Sequence, residues 1–133
     1  MIYQIPVNNS VTKGFESTAL KDVRLVAFKS LKEIQKNTRL AFKVVVYTYK
    51  STHEANNTFQ VLRTSLPSQS DLLFSKDWNL VVIKDNYLYK LNGGCLYSQQ
   101  AWNELKTMFL KNALALKTNT GITNSFEIPC GGL

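Results

Sequence analysis

Apolar and polar positions along this chain alternate with two different periods, and the changes of period predict its elements. From Trp78 to Leu91 it reads WNLVVIKDNYLYKL, two apolar runs hinged on Asp85-Asn86. Asp and Asn tolerate the positive φ of a two-residue primed turn, so the runs are predicted to pair as a β-hairpin. In that register Lys84 faces Tyr87 and Val82 faces Tyr89. Leu40–Tyr49 (LAFKVVVYTY) carries β-branched or aromatic residues at most positions. Its apolar residues fall on both alternating faces, which predicts an interior strand covered on each side. A polar loop over 51–57 is expected to lead to another strand at Phe59–Arg63. Leu66-Pro67-Ser68 then reads as a break into a connector over 68–77. Met1–Val7 reads as a short strand that Pro6 confines to a sheet edge, and Ile122–Ile128 as a last strand.

A period near 3.6 predicts two helices. Leu20, Val23, Ala27, Leu31 and Ile34 recur at spacings of three and four over Leu20–Lys36. The segment VRLVAF inside that run is also rich in strand formers, but the five-member stripe favours a helix. Ser98 can cap a second helix over Gln99–Lys117, with Trp102, Leu105, Met108, Phe109, Ala113 and Leu116 on one face. The expected fold is therefore α+β: an antiparallel sheet of four to five strands with two amphipathic helices packed on one of its faces. Leu40–Tyr49, Phe59–Arg63, Leu80–Lys84 and Tyr87–Leu91 should share that sheet, and Trp102, Leu105 and Phe109 should enter its core. At 133 residues the chain reads as a single domain, 1–133, with extended arms over 1–10 and 119–133.

Charge changes the list of partners. Sixteen basic and nine acidic residues leave a net +7, which favours polyanions such as nucleic acid, although the lysines are spread along the chain. No apolar run approaches the ~18–20 residues of a membrane span, so no membrane partner is expected. The first residues lack a basic stretch followed by an apolar one, which points to the cytoplasm and to reduced thiols.

Candidate chemistry is sparse. Cys95, Cys130 and the lone His53 fall short of a tetrahedral zinc set, and no cofactor is expected. A thiol enzyme would need Cys95 or Cys130 as nucleophile with His53 as base, Cys95 lying just before the second helix start. Asp71 and Asp77 are acids without an evident structural task, but six residues apart on a connector they make no signature. The expectation is a protein that is not an enzyme.

Aromatic and basic residues do interleave on predicted strands: Lys43, Tyr47 and Tyr49 on one face of the first, Lys84, Tyr87 and Tyr89 on one face of the hairpin. Aromatic platforms flanked by lysines are what single-stranded nucleic-acid binders use, so these six form the candidate ligand or nucleic-acid surface. Tyrosine-rich faces also mark protein interfaces. Leu25, Phe28, Leu110, Leu114 and the patch Leu72 to Phe74 exceed what one sheet face can cover, which predicts a homo-oligomer or a larger assembly. By elimination the expected function is a non-enzymatic binding or assembly protein acting through a surface. Its Asn/Lys/Thr/Tyr-rich composition suits a virion or host-interaction component of a phage or mobile element. A small basic nucleic-acid-binding module is the alternative, and a Cys/His thiol enzyme the third.

Overall fold

A long hairpin, a helix, a second hairpin, a second helix and a short strand succeed one another behind a four-residue edge strand. A computed structural model of the chain describes residues 2–5, 15, 17–35, 38–73, 77–95, 97–113 and 125–130. The strands are β1 (Ile2–Ile5), β2 (Leu20–Gln35), β3 (Thr38–Tyr49), β4 (Trp78–Lys84), β5 (Tyr87–Gly93) and β6 (Ser125–Ile128). Helix α1 (Thr52–Leu73) joins β3 to β4, and α2 (Gln99–Met108) follows β5 and continues into a π-helical turn, Phe109–Ala113. The six strands form one sheet in the order β1-β2-β3-β5-β4-β6, and every neighbouring pair is antiparallel.

The Asp85-Asn86 hairpin is present in the expected register, Lys84 opposite Tyr87 and Val82 opposite Tyr89. Asp85 takes the positive φ of 55° that the turn demands. The Asn86 side-chain amide donates to the Tyr49 carbonyl at 2.9 Å, and the Tyr49 N–H returns a bond to the Asn86 carbonyl. The turn is thereby tied to the end of β3, itself an interior strand between β2 and β5.

Two element assignments are overturned. Leu20–Lys36 is not a helix; Leu20–Gln35 is β2, hydrogen-bonded to β1 on one side and β3 on the other. Its β-branched residues, including Val23 and Val26, fit a pleated surface, and pairing with two strands outweighs a local stripe. Phe59–Arg63 is not a strand but the middle of α1, whose helix also takes in the residues read as a loop and the Pro67 read as a break. Ser51 caps it, its hydroxyl accepting from the Glu54 N–H at 3.2 Å. Ala55, Phe59 and Leu62, at spacings of four and three, are its buried residues.

The helices lie on opposite sides of the sheet, not on one. Both β3–α1–β4 and β5–α2–β6 skip over a single intervening strand in the same lateral direction, while β3 and β5 run antiparallel. Crossovers of one hand must then pass on opposite faces, and one hand is the strong preference. The cores agree. Ala55, Phe59 and Leu62 of α1 pack with Val23, Val45, Tyr47, Tyr49, Val81, Leu88 and Ile128. Trp102 and Leu105 of α2, with Phe109, pack with Val44, Trp78, Leu80, Val82 and Leu91. Leu25 and Leu110, surplus for a one-faced sheet, are half-buried against these two cores. The Phe28 and Leu72 side chains, and Phe74 and Leu114, lie outside the described residues.

Candidate functional site

Pleating decides which of the six tyrosine and lysine candidates can act together. Residues opposite one another across a ladder share a face. Lys43, Val45, Tyr47 and Tyr49 of β3 therefore share the α1 face with Leu88 and Lys90 of β5. Lys84, Tyr87 and Tyr89 share the opposite face, with Thr48 and Val46. The six do not form one surface.

Nor are the first tyrosines available. Tyr47 and Tyr49 are both 0% exposed. The Tyr47 ring stacks flat on Phe15, centroids 3.9 Å apart, and the Tyr49 hydroxyl donates to the Phe15 carbonyl at 2.7 Å. They hold the segment before β2 down onto the sheet, and no base could stack on them. Tyr89 is half-buried and meets the edge of Phe109, with centroids 6.3 Å apart. Burial, then Tyr87 and Asp85, raises its phenol pKa. Tyr87 and Lys84 are half-buried beside it.

The polar residues that sequence reasoning passed over lie under the α1 side. Lys43, Asn92 and Asn79 make one cross-strand row, with the Asn92 amide donating to the Asn79 side-chain oxygen at 2.9 Å. Lys90 stands in the next row between Val45 and Val81, its ammonium 5.8 Å from the centre of the Phe15 ring. Burial, helped by the nearby charge of Lys43, pushes its pKa down to about 8. An unbroken apolar alternation in β5 would have placed a hydrophobe here, so a lysine at a core-facing strand position was the available signal.

Across the sheet, α2 is fixed by directional bonds. Ser98 caps it, accepting from the Ala101 N–H at 3.1 Å as the sequence predicted. Trp102 is fully buried, packs on Trp78 at 5.8 Å and donates its indole N–H to Glu127 of β6 at 2.6 Å. Lys106 donates to the second Glu127 oxygen, also at 2.6 Å. Gly93 lets the indole approach: a Cβ there would sit 3.0 Å from Trp102. Met108, placed on the buried stripe by periodicity, is 50% exposed at its margin. Ala113's side chain and Leu116 lie outside the described residues.

Cys95 and Cys130 form a disulfide between the β5–α2 corner and the residue pair after β6, their Cα atoms 5.6 Å apart. The expectation of reduced thiols is corrected: a sulfur in a disulfide is no nucleophile. His53 stands exposed in the first turn of α1, with Nε2 3.2 Å from the Asn57 amide nitrogen. A disulfide belongs to an oxidising setting and is rare in the cytosol, so this link pulls against the cytoplasmic expectation. Asp77 lies just before β4, its carbonyl accepting from the Asn79 side-chain amide at 3.0 Å. The Asp71 side chain lies outside the described residues. Among the described residues, no group of three or more His, Cys, Asp or Glu side chains could hold a metal, and no helix is long and apolar enough to cross a membrane.

One feature of the backbone is not absorbed by the sheet. The last β3–β5 pair is Phe42 with Gly93, and the last β1–β2 pair is Ile2 with Val26. Beyond these, β2 and β3 run on together through Lys29↔Ala41, Glu33↔Arg39 and Gln35↔Thr38. Among the described residues this ribbon has no third strand beside it. Two register shifts interrupt it, between Lys29 and Glu33 and between Glu33 and Gln35. Such bulges sharpen a ribbon's twist and concentrate at functional edges.

No protein-family model, curated protein or solved structure matches this chain.

Proposed function

We propose that this chain is a non-enzymatic binding or assembly protein that acts through a surface, and that the surface is the β2–β3 ribbon. The observation that carries the reading is that, among the described residues, the ribbon continues past Phe42 and Val26 with only two strands. A two-stranded hairpin on its own is marginally stable in water, because each strand has a single hydrogen-bonded neighbour and little to pack on. Natural sheets avoid long open edges, since a row of unpaired N–H and C=O groups recruits other chains. The rest of this sheet follows that rule: its edge strands β1 and β6 are four residues each, and a helix packs on either face. Extending β2 to 16 residues and β3 to 12 departs from it. A partner laid against the ribbon restores what the missing strands would supply.

The test is a shortened hairpin in which residues 30–40 give way to an Asn-Gly turn between Lys29 and Ala41, a pair already in register. Both proteins are purified at low salt without nuclease, and their masses in solution are measured. The full chain should run heavier than its 15.1 kDa, through self-association or a retained partner. The shortened protein should run as a monomer with its melting temperature kept. Equal monomer masses for the two would overturn the reading.

A further inference from the structure

We propose that the cleft between the end of α2 and β6 binds a small monocarboxylate with a compact apolar body, its carboxylate held by Lys106 and Ser125. The cleft is separate from the β2–β3 ribbon, and neither depends on the other.

The cleft has a volume of about 360 Å³, and its walls include Leu80 of β4, Lys106 and Thr107 of α2, Leu110 of the π-helical turn, and Ser125 and Glu127 of β6. That volume falls at the lower end of the roughly 300–1,000 Å³ usual for small-molecule sites. Its build follows from the elements. In the β4–β6 ladder Leu80 stands opposite Glu127 and Val82 opposite Ser125, so Glu127 and Ser125 share the face that α2 covers. Lys106 and Leu110, four residues apart, are neighbours on the helical side above them. Between the two, α2 gives way after Met108 to the π-helical turn, a form that recurs at functional sites.

Hydrogen-bonding capacity in the cleft is only partly used. Lys106 donates to Glu127 and to nothing else among the described residues, which leaves two of an ammonium's three N–H groups, and its side chain is 20% exposed. The half-buried Ser125 hydroxyl has no hydrogen-bond partner among the described residues. Glu127, by contrast, accepts from the Trp102 indole on one oxygen and from Lys106 on the other. The Thr107 hydroxyl gives its proton to the Asn103 carbonyl at 2.9 Å. What the cleft still offers is donors, so its ligand brings an acceptor.

Charge and shape narrow the class. Glu127 offsets the charge of Lys106, so a phosphate dianion meets twice the repulsion from the carboxylate that a monoanion on the ammonium meets. A neutral carbonyl forgoes the charge-assisted bond, which is roughly twice as strong as a neutral one. Leu80 and Leu110 supply apolar wall for a short hydrocarbon body, and the small volume leaves no room for a long acyl chain.

The test is a ¹H–¹⁵N correlation titration of the full chain with sodium benzoate, at a constant ionic strength of about 0.15 M so that the net +7 is screened. Shifts should cluster at 106–110 and 125–127 and saturate with a Kd of about 1 mM, within what roughly nine non-hydrogen atoms supply. Lys106→Met should weaken binding about 10-fold or more, the share of one charge-assisted hydrogen bond, and Ser125→Ala about 2- to 10-fold. Benzamide and phenyl phosphate should both bind more weakly than benzoate. Glu127→Gln keeps an acceptor for Trp102 and removes the competing charge, so benzoate should bind it several-fold tighter. A variant that is merely loosened cannot do that, and if Lys106→Met fails to fold, Ser125→Ala and Glu127→Gln decide the matter. Shifts scattered over the basic surface, a titration that does not saturate, or a Glu127→Gln protein that binds no tighter would overturn the site. Benzamide or phenyl phosphate binding as well as benzoate would overturn the ligand class.

Discussion

The two faces of this sheet are covered by different means. Under α1 the contacts are mostly shape: Phe59 and Leu62 on Val45 and Tyr47, and Phe15 lying flat on Tyr47. Under α2 the contacts are aimed. Trp102 donates to Glu127, Trp78 donates to the Tyr97 carbonyl at 2.9 Å, Lys106 closes on Glu127, and the disulfide ties the corner to the chain after β6. The contrast follows from where each helix lies. α1 lies over the central strands, whose apolar residues surround Ala55, Phe59 and Leu62. α2 must hold β6, a four-residue edge strand that pairs on one side with β4. Short elements bury little surface, and directional bonds and a covalent staple compensate.

Truncation should hide this difference and conservative substitution should expose it. Phe59→Ala and Trp102→Ala each empty a fully buried site and should cost about 3–5 kcal/mol in urea denaturation. Phe59→Leu keeps most of the shape and should cost less than about 1.5 kcal/mol. Trp102→Phe removes the donor to a carboxylate and should cost about 1.5–3 kcal/mol more than its lost volume alone. If Phe59→Leu proved the costlier of the two, the distinction between the faces would collapse.

The staple offers a sharper cut. Cys95 and Cys130 are 35 residues apart, and closing a loop of that size stabilises by about 2–4 kcal/mol, chiefly by restricting the unfolded chain. The double variant Cys95→Ser/Cys130→Ser should lose that amount, with the wild type under reductant matching it. Hydrogen exchange should rise first at 125–128 and at the start of α2, while Val45 and Tyr47 amides stay protected. Uniform loss of protection across both faces would mean the staple serves the whole fold rather than the α2 side.

That division also marks what could be read in the sequence. The second hairpin was legible because its turn chemistry and its alternation agree, and α2 because Ser98, Trp102, Leu105 and Phe109 form a capped stripe. β2 was not legible: the spacing of Leu20, Val23 and Ala27 is helical, and only its pairing with β1 and β3 makes it a strand. α1 was misread through its β-forming FQVLR and Pro67. Its start carried a usable signal in Ser51-Thr52-His53-Glu54, a helix-capping pattern. The candidate site fared worse. Alternation correctly grouped Tyr47 with Tyr49 and Tyr87 with Tyr89, but a period of two cannot tell which face is covered when both are. The two-stranded ribbon has no local signature, because it is defined by where other strands stop.

The smallest effect tests the α1 face where it departs from pure shape. Lys90 has a folded pKa near 8 against an ordinary value of 10.5, lowered by burial and then by Lys43. Its folded state therefore prefers the neutral amine. Below pH 8 the ammonium is charged in both states, and the cost of burying it is fully present. Between pH 8 and 10.5 the unfolded chain holds more protons than the folded one, so stability rises with pH. Tyrosine ionisation intrudes near pH 10, so the usable comparison is pH 7 against pH 9.5. Across it the wild type should gain about 1–2 kcal/mol, the ideal figure being reduced because Lys90 keeps some contact with solvent. Lys90→Met should be more stable than the wild type at pH 7 and should lose that part of the gain. Lys43→Gln, which removes the neighbouring charge and leaves the burial, should retain most of it. A wild type whose stability is flat or falling over this range, or a Lys90→Met protein that follows it, would show that the amine is solvated like any surface lysine. The α1 face would then carry no buried charge.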